Sequence, residues 1–465
     1  MNTRIVRVLH GLALSALCTA AQAADGDLDT SFGDNGFRLA GTTEGYSTIP
    51  SSMAVQADGK ILICNGEGVS PAIDFVIVRF TADGELDTTF SFDGRTAVDF
   101  DGDTDLCNGV AVQADGKIVA AGTTTEFGVT SDFAIARLNA DGTLDTATFG
   151  AGTGKSVIAF DVGGTNLDTA GGLALRSDGK IVVVGSANTD TNGDDFAIVQ
   201  LNSDGSRDTG FNLTGRVTVG FDLPASTTKF DMATRVVIDE QNRIIVAGTA
   251  DAGPAASDFA VVRLLPGGQP DPDFSADGRT TIAFDLGGAN GSNSDGAYHL
   301  MLQRDGRIVA AGVVDSSTTA TSNIDMGFVR LLPDGSPDAG FGIGGKTTIA
   351  FDLGSDNSDL ALTGVEQSNG KLLFGGASNT TGASNILADA VRLNRDGSPD
   401  ESFGTLGKKS YDFAQTVPSG QLFNAAALHG SGIVFGGAGY VIDDTHVDAF
   451  VARILIDLIF ADGFD

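Results

Sequence analysis

Short apolar runs broken by Asp-Gly turns recur along the whole chain, at a period of roughly sixty residues. The stretch from Val110 to Phe160 shows the pattern best. Val110-Ala111-Val112 is apolar, ends at Gln113, and is followed by Ala114-Asp115-Gly116-Lys117. Asp-Gly between two apolar runs predicts a hairpin, because both turn residues must accept positive φ. Ile118 to Ala121 is the return strand, and Asp132 to Leu138 is a third. Asn139-Ala140-Asp141-Gly142 turns the chain again, Leu144 to Phe149 crosses irregularly, and Lys155 to Phe160 makes a fourth strand. Four short strands per repeat at this period predict the blade of a β-propeller. A β-solenoid or a row of sandwiches would use similar strands, but neither gives the two chain ends a reason to complement each other.

Here the ends do complement each other. The glycine of the first turn marks the repeats: Gly59, Gly116, Gly179, then Asn242 in its place, Gly306 and Gly370, with spacings of 57, 63, 63, 64 and 64. A weaker seventh copy follows at Ala426-Ala427-Leu428-His429 and Ile433 to Gly436, with a third strand from Asp448 to Arg453 and no fourth. Ala24 to Phe32 and Gly36 to Leu39 read as the turn, crossing and fourth strand of a blade that has nothing before them. The expected fold is therefore an all-β, seven-bladed β-propeller of four-stranded antiparallel blades, closed by the N-terminal strand completing the last blade, which removes exposed sheet edges. Residues 24–457 form this one domain, 1–23 a leader and 458–465 a short apolar-acidic tail.

Ala111-Val112-Gln113-Ala114-Asp115-Gly116-Lys117-Ile118-Val119-Ala120-Ala121-Gly122, with Asp132-Phe133, Arg137-Leu138 and Asp141-Gly142, resembles the repeat of the delta-60 family of bacterial exported proteins. The resemblance covers essentially all of residues 24–457. The fourth copy departs from it with Glu240-Gln241-Asn242-Arg243, and the seventh is eroded. It implies a β-propeller and no particular activity.

Met1 to Ala23 has the pattern of a secretory signal peptide: Arg4 and Arg7, an apolar stretch, then Ala21-Gln22-Ala23 as cleavage site. A periplasmic or extracellular protein is expected, with no membrane insertion of the mature chain. The formal net charge is −32, and −34 once Arg4 and Arg7 leave with the leader. So acidic a surface repels nucleic acid and anionic lipid and favours cations, cationic partners or plain solubility. Cys64 falls on a second strand and Cys107 on the next inner strand, at positions that hold small residues in other copies. An oxidising compartment permits a disulfide between them, and two buried small side chains are the alternative.

Alternating strand direction gives the repeat a constant face, bearing the two Asp-Gly turns, and a face whose loops vary in length. Variable loops on one face of a repeat fold mark a binding face. Three aspartate series recur there. Asp105, Asp168, Asp231, Asp295 and Asp359 precede the inner strands. Asp101, Asp161, Asp222, Asp285 and Asp352 follow the last Phe of fourth strands, and Asp74, Asp132, Asp195, Asp258, Asp325 and Asp448 open third strands. Each series either caps strands by bonding backbone N–H groups or builds an acidic funnel for Ca²⁺, which prefers carboxylate and carbonyl oxygens. The loop Asp99-Phe100-Asp101-Gly102-Asp103-Thr104-Asp105 offers alternate carboxylates, and Asp190 to Asp195 is similar; neither matches the helix-loop-helix calcium pattern. The candidate metal ligands are accordingly Asp99, Asp101, Asp103, Asp105, Asp168, Asp231, Asp295 and Asp359. Arg79, Arg137, Arg263, Arg330, Arg392 and Arg453 end third strands, with Gln200 the exception, and their expected partners are Asp29, Asp87, Asp145, Asp208, Asp271, Asp338 and Asp400.

No G-x-S-x-G elbow occurs, and His299, His429 and His446 show no metal-ligand spacing. No catalytic residue is singled out, and no cofactor beyond Ca²⁺ is called for. The expected function is an exported, monomeric, non-enzymatic scaffold whose variable acidic face binds a protein or another envelope component. The alternative is a carboxylate-based hydrolase or lyase with its site at the channel mouth. An enzyme would concentrate unlike residues in one or two blades, whereas a scaffold would look alike all round.

Overall fold

The computed structural model describes residues 24–41, 46–47, 49–69, 72–101, 104–126, 129–190, 193–226, 228–253, 256–286, 293–317, 323–353, 357–379, 386–413, 420–430, 432–440 and 447–456. The leader, the tail, Asp103 and His446 lie outside them. Apart from one 3-10 turn at Gly150–Gly152, the described elements are strands. In the second repeat, Thr104–Val112 pairs antiparallel with Ile118–Glu126, then Thr130–Leu138, then Lys155–Ile158. The same inner-to-outer order recurs from Asp168–Leu175 to Arg216–Val219 and from Met232–Ile238 to Arg279–Ile282. Strands run past the apolar stretches that announce them: Ile118–Glu126 ends five residues beyond the Ala121 expected from the sequence. Backbone pairing continues outward after the buried alternation stops.

The first turn of each repeat also differs from expectation. The Gly116 N–H donates to the Gln113 carbonyl at 2.9 Å and the Gln113 N–H to that of Lys117 at 2.8 Å. Gly116 alone takes positive φ, 84°, while Asp115 does not. This is a hairpin with one left-handed residue rather than a two-residue mirror-image turn. Asn242, at φ 58°, takes that role in the fourth repeat, since Asn tolerates the left-handed region better than most residues.

Leu422–His429, Gly432–Tyr440 and Val447–Leu455 are followed in their sheet by Phe37–Leu39 from the other end of the chain, with Phe37 opposite Ala452 and Leu39 opposite Phe450. Inner strands lie against their successors, and Leu422–His429 lies against Ser52–Val55 of the first repeat. The core sits between successive repeats: Val119, Phe133 and Ile135 pack on Ile181, Val183 and Val199 of the next. Each inner strand from the second repeat onward carries a β-bulge, as between Cys107 and Gly109 or Ala233 and Arg235. Cys64 and Cys107 join two neighbouring repeats, with their sulfurs at 2.10 Å.

The constant face is held by the Arg–Asp pairs. Arg79 Nε donates to Asp87 at 2.8 Å, and the same geometry joins Arg137 to Asp145, Arg263 to Asp271, Arg330 to Asp338, Arg392 to Asp400 and Arg453 to Asp29. Arg79 also donates to the Ala140 carbonyl of the following repeat at 2.6 Å, so each arginine ties two repeats. Gln200 cannot reach that far. Arg176 supplies the missing guanidinium, donating to Gln200 Oε1 at 2.7 Å and to the Pro266 carbonyl at 2.9 Å.

Candidate functional site

On the variable face the three aspartate series separate by role. Asp105, Asp168, Asp231, Asp295 and Asp359 are buried, at most 1 % exposed, and do not stand free around a mouth. Each accepts, through Oδ2, the backbone N–H of the Phe that ends the preceding repeat: Phe100, Phe160, Phe221, Phe284 and Phe351, at 2.5–2.8 Å. Burial pushes Asp168, Asp231 and Asp295 up to about 6 and raises Asp105 and Asp359 as well. The second Asp231 and Asp295 oxygens accept the N–H groups of Asp251 and Asp315. Oδ1 of Asp105, Asp168 and Asp359 meets no donor in hydrogen-bonding geometry.

Asp101, Asp161, Asp222, Asp285 and Asp352 are exposed turn residues with φ between 44° and 65°. Their short polar side chains tolerate the left-handed conformation that leaves the fourth strand. The third series is part-buried or buried. Burial raises Asp74, Asp132 and Asp325 and takes Asp258 to about 6.

The expected ligand set therefore does not assemble as one ring. Asp168, Asp231, Asp295 and Asp359 each belong to a different boundary between repeats and cap it. Asp101 points to solvent, its side chain 90 % exposed and 3.8 Å from Lys155. Asp99 and Asp105 do converge, and Asp74 joins them: one carboxylate oxygen from each lies within 4.8 Å of the other two. Among the described residues this is the one such group of three acids. The signal for it is a carboxylate at a place that four later copies fill with a small residue. Asp99 stands where later copies carry Ala159, Gly220, Ala283, Ala350 and Asp412, and beside Asp412 the inner strand offers Gln421 where the others have a buried aspartate.

The three acids differ in setting. Asp105 is fully buried and fixed by the Phe100 N–H. Asp74 is part-buried, and burial followed by the charges of Asp99 and Asp105 raises its pKa. Asp99 is exposed; its Oδ1 accepts the Asp101 N–H at 2.6 Å, and its carbonyl accepts Lys155 Nζ at 2.7 Å. The trio thus places an exposed carboxylate beside an acid that retains its proton to higher pH than usual.

Sequence reasoning passed over two further groups. Asp389, buried in the third strand of the sixth repeat, replaces the Ala134, Ala197 and Ala260 of other copies. Arg235 follows an inner-strand bulge, at the position of Gly109 and Gly172.

Six segments, 56–90, 113–147, 176–211, 242–274, 303–341 and 367–403, match the family model described as a domain of unknown function (DUF5122) beta-propeller. The chain is thus built from the repeats of a β-propeller repeat family. No curated protein matches it. Among solved structures, the polysaccharide lyase Uly1 aligns at TM-score 0.47 and 8% identity over 88% of this chain and 90% of that one. The GH93 α-L-arabinofuranosidase of Fusarium graminearum aligns at 0.40 and 10% identity over 92% and 96%. A protein of unknown function from Dyadobacter fermentans aligns at 0.44 and 10% identity over 90% and 99%. The expectation of a non-enzymatic scaffold is corrected by these comparisons, which include enzymes that cleave glycans. The trio also breaks the all-round likeness on which the scaffold rested. Likeness at these levels assigns this chain no substrate and no catalytic residue. Among the described residues no helix is long and apolar enough to cross a membrane.

Proposed function

We propose that the protein is a carboxylate-based hydrolase or lyase acting on a glycan, with its site at Asp74, Asp99 and Asp105. The observation that carries this is the approach of three unlike carboxylates within 4.8 Å at one boundary between repeats. Asp74 is the proton donor, since burial and two neighbouring carboxylates favour its protonated form. Asp99, exposed, is the base or nucleophile. Asp105 is a positioning residue that lies beneath both. Carboxyl groups about 5–5.5 Å apart serve retaining glycosidases, and inverting ones need about 6.5–9.5 Å. The short spacing favours hydrolysis with retention. An Asp99 oxygen attacks the anomeric carbon, and the glycosidic C–O bond breaks as the Asp74 proton passes to the leaving oxygen. Water, deprotonated by Asp74, then releases the sugar from Asp99.

The test is reducing-end release from a panel of neutral and acidic polysaccharides by wild type, Asp74→Asn and Asp99→Asn. Loss of at least a hundredfold in both variants, with unchanged melting, is expected. Absence of cleavage across the panel, or cleavage that survives both substitutions, overturns the reading.

A second reading is favoured by the convergence of one oxygen each from Asp74, Asp99 and Asp105. Three carboxylate oxygens at this spacing suit Ca²⁺. We infer further that the repeats are those of the delta-60 family. In this reading they form seven blades that close as a ring through Phe37–Leu39, and the protein acts outside the cytoplasm.

A further inference from the structure

The wall of inner strands contains a cation with no counter-charge. Arg235 is part-buried, and its guanidinium reaches the backbones of two other repeats. Nη1 donates to the carbonyls of Thr234 at 3.0 Å and Gly171 at 3.2 Å, and Nη2 donates to that of Ser51, in the first repeat, at 3.2 Å. Carbonyl dipoles soften the charge without cancelling it. No carboxylate pairs with Arg235 among the described residues, and its Nε–H donates to no protein atom there. Burial lowers the pKa only to about 10, so the group stays cationic at neutral pH.

Its neighbours offer no negative charge. His299, one inner strand further on, is driven down to about 3 by burial and then by the Arg235 charge, so its imidazole is neutral. The five buried aspartates that precede the inner strands already bond Phe N–H groups. Gly109 and Gly172, at the equivalent position of the second and third repeats, carry no side chain at all. An unpaired, desolvated charge is costly, and a structure that keeps one has a reason to. The guanidinium fork matches planar carboxylate and phosphate oxygens, and arginine is the residue suited to such recognition.

We propose that Arg235 anchors an anion site inside the wall of inner strands, and that its ligand is an oxyanion, a carboxylate above all. The carboxylate comes either from a free small acid or from an acidic sugar of the glycan. The second source rests on the reading under Proposed function, while the site itself does not. Ser51, which Arg235 grips, belongs to the first repeat, whose Asp74 and Asp99 enter the carboxylate trio. An acidic sugar held there would lie within the ring that carries the proposed cleavage site.

The test is titration calorimetry and thermal melting of the full chain with sodium glucuronate, sodium acetate, glucose and sodium chloride at matched ionic strength. Glucuronate should bind and raise the melting temperature, and glucose and chloride should not. Acetate matching glucuronate assigns the free acid, and glucuronate acting alone assigns the sugar. Arg235→Gln should abolish the binding. Arg235→Met should melt above wild type in anion-free buffer, which also shows that the variant folds. Binding by neither carboxylate, chloride acting equally, or binding undiminished in Arg235→Gln overturns the proposal. Asp99→Asn should lose cleavage and still bind glucuronate, so failure of the site and failure of the hydrolase reading appear in different measurements.

Discussion

Asp389 is a titratable group set into the core, and replacing it should stabilise the protein in a pH-dependent way. The residue is 0 % exposed, in the third strand of the sixth repeat, opposite Gly376 on one side and Ser410 on the other. Asp359 and Ser378 pair across the adjoining strands, so two carboxylates share one buried stretch. Burial, outweighing the hydroxyls of Ser378 and Ser410, and the charge of Asp359 push Asp389 up to about 7. An unfolded aspartate titrates near 3.9. The folded state therefore prefers the protonated form, and stability is highest below the unfolded pKa. It falls by about 1.4 kcal/mol per pH unit between roughly pH 4 and 7, then levels off, for a total of about 4 kcal/mol. Asp389→Asn removes the ionisation and keeps a polar group of the same shape. The variant should match wild type at pH 4, gain about 2 kcal/mol by pH 5.5, and gain about 4 kcal/mol at pH 8. Urea melts followed by far-UV circular dichroism suit a chain without Trp. Asp168, Asp231, Asp258 and Asp295 carry shifts of the same sign, so wild-type stability alone is no test. The difference between variant and wild type isolates Asp389. A gain that is flat with pH, or none at pH 8, would refute the reasoning.

Two other predictions concern the constant and variable faces of the repeats. Arg176→Gln should cost about 1–3 kcal/mol, because it removes charged hydrogen bonds to Gln200 and the Pro266 carbonyl. Adding Gln200→Arg should recover most of the loss by restoring the arrangement of the other repeats; a double variant as weak as the single one would contradict this account of the constant face. If the trio holds calcium, a hundredfold excess over the dissociation constant should stabilise the fold by about 2.7 kcal/mol. Magnesium at equal ionic strength should do far less, and Asp99→Asn with Asp105→Asn should erase the difference; equal action of both ions would mean that the carboxylates take no specific cation.

The repeat was legible because its punctuation is conformational. Gly59, Gly116 and Gly179 sit where φ must be positive, at 82–84°, and these glycines set the register of the strands around them. The Arg–Asp pairs were legible for a related reason: both partners recur at fixed spacing, and strand direction brings them to one face. The aspartate series were visible in position but not in role. Asp105 and Asp359 occupy the same place in the repeat and make the same Phe N–H bond. Only Asp105 meets two further carboxylates: Asp99 occurs where four later copies have Ala or Gly, and its counterpart in the sixth repeat, Asp412, meets Gln421 in place of a buried aspartate. Spacing along the chain does not say whether a carboxylate turns back to its own backbone or outward to a neighbouring repeat.

Departures from the repeat hold what regularity hides. Gln200 departs, and Arg176 compensates for it from another strand, so that departure is structural. Asp99, Asp389 and Arg235 have no such compensation. Asp389 replaces alanine with a carboxylate that burial disfavours, and Arg235 replaces glycine with a cation that no acid neutralises. A chain selected only for stability would discard both, since the apolar or empty alternative already exists in its own other repeats. Asp389 is the control for this reasoning, because Asp389→Asn tests its cost without any ligand. If that substitution stabilises the protein and leaves glycan cleavage and glucuronate binding intact, an uncompensated departure is no guide to function in these repeats. The claims for Asp99 and Arg235 would then rest on their own titrations. If cleavage or binding falls with Asp389→Asn, the sixth repeat joins the site, and the unlike residues mark function.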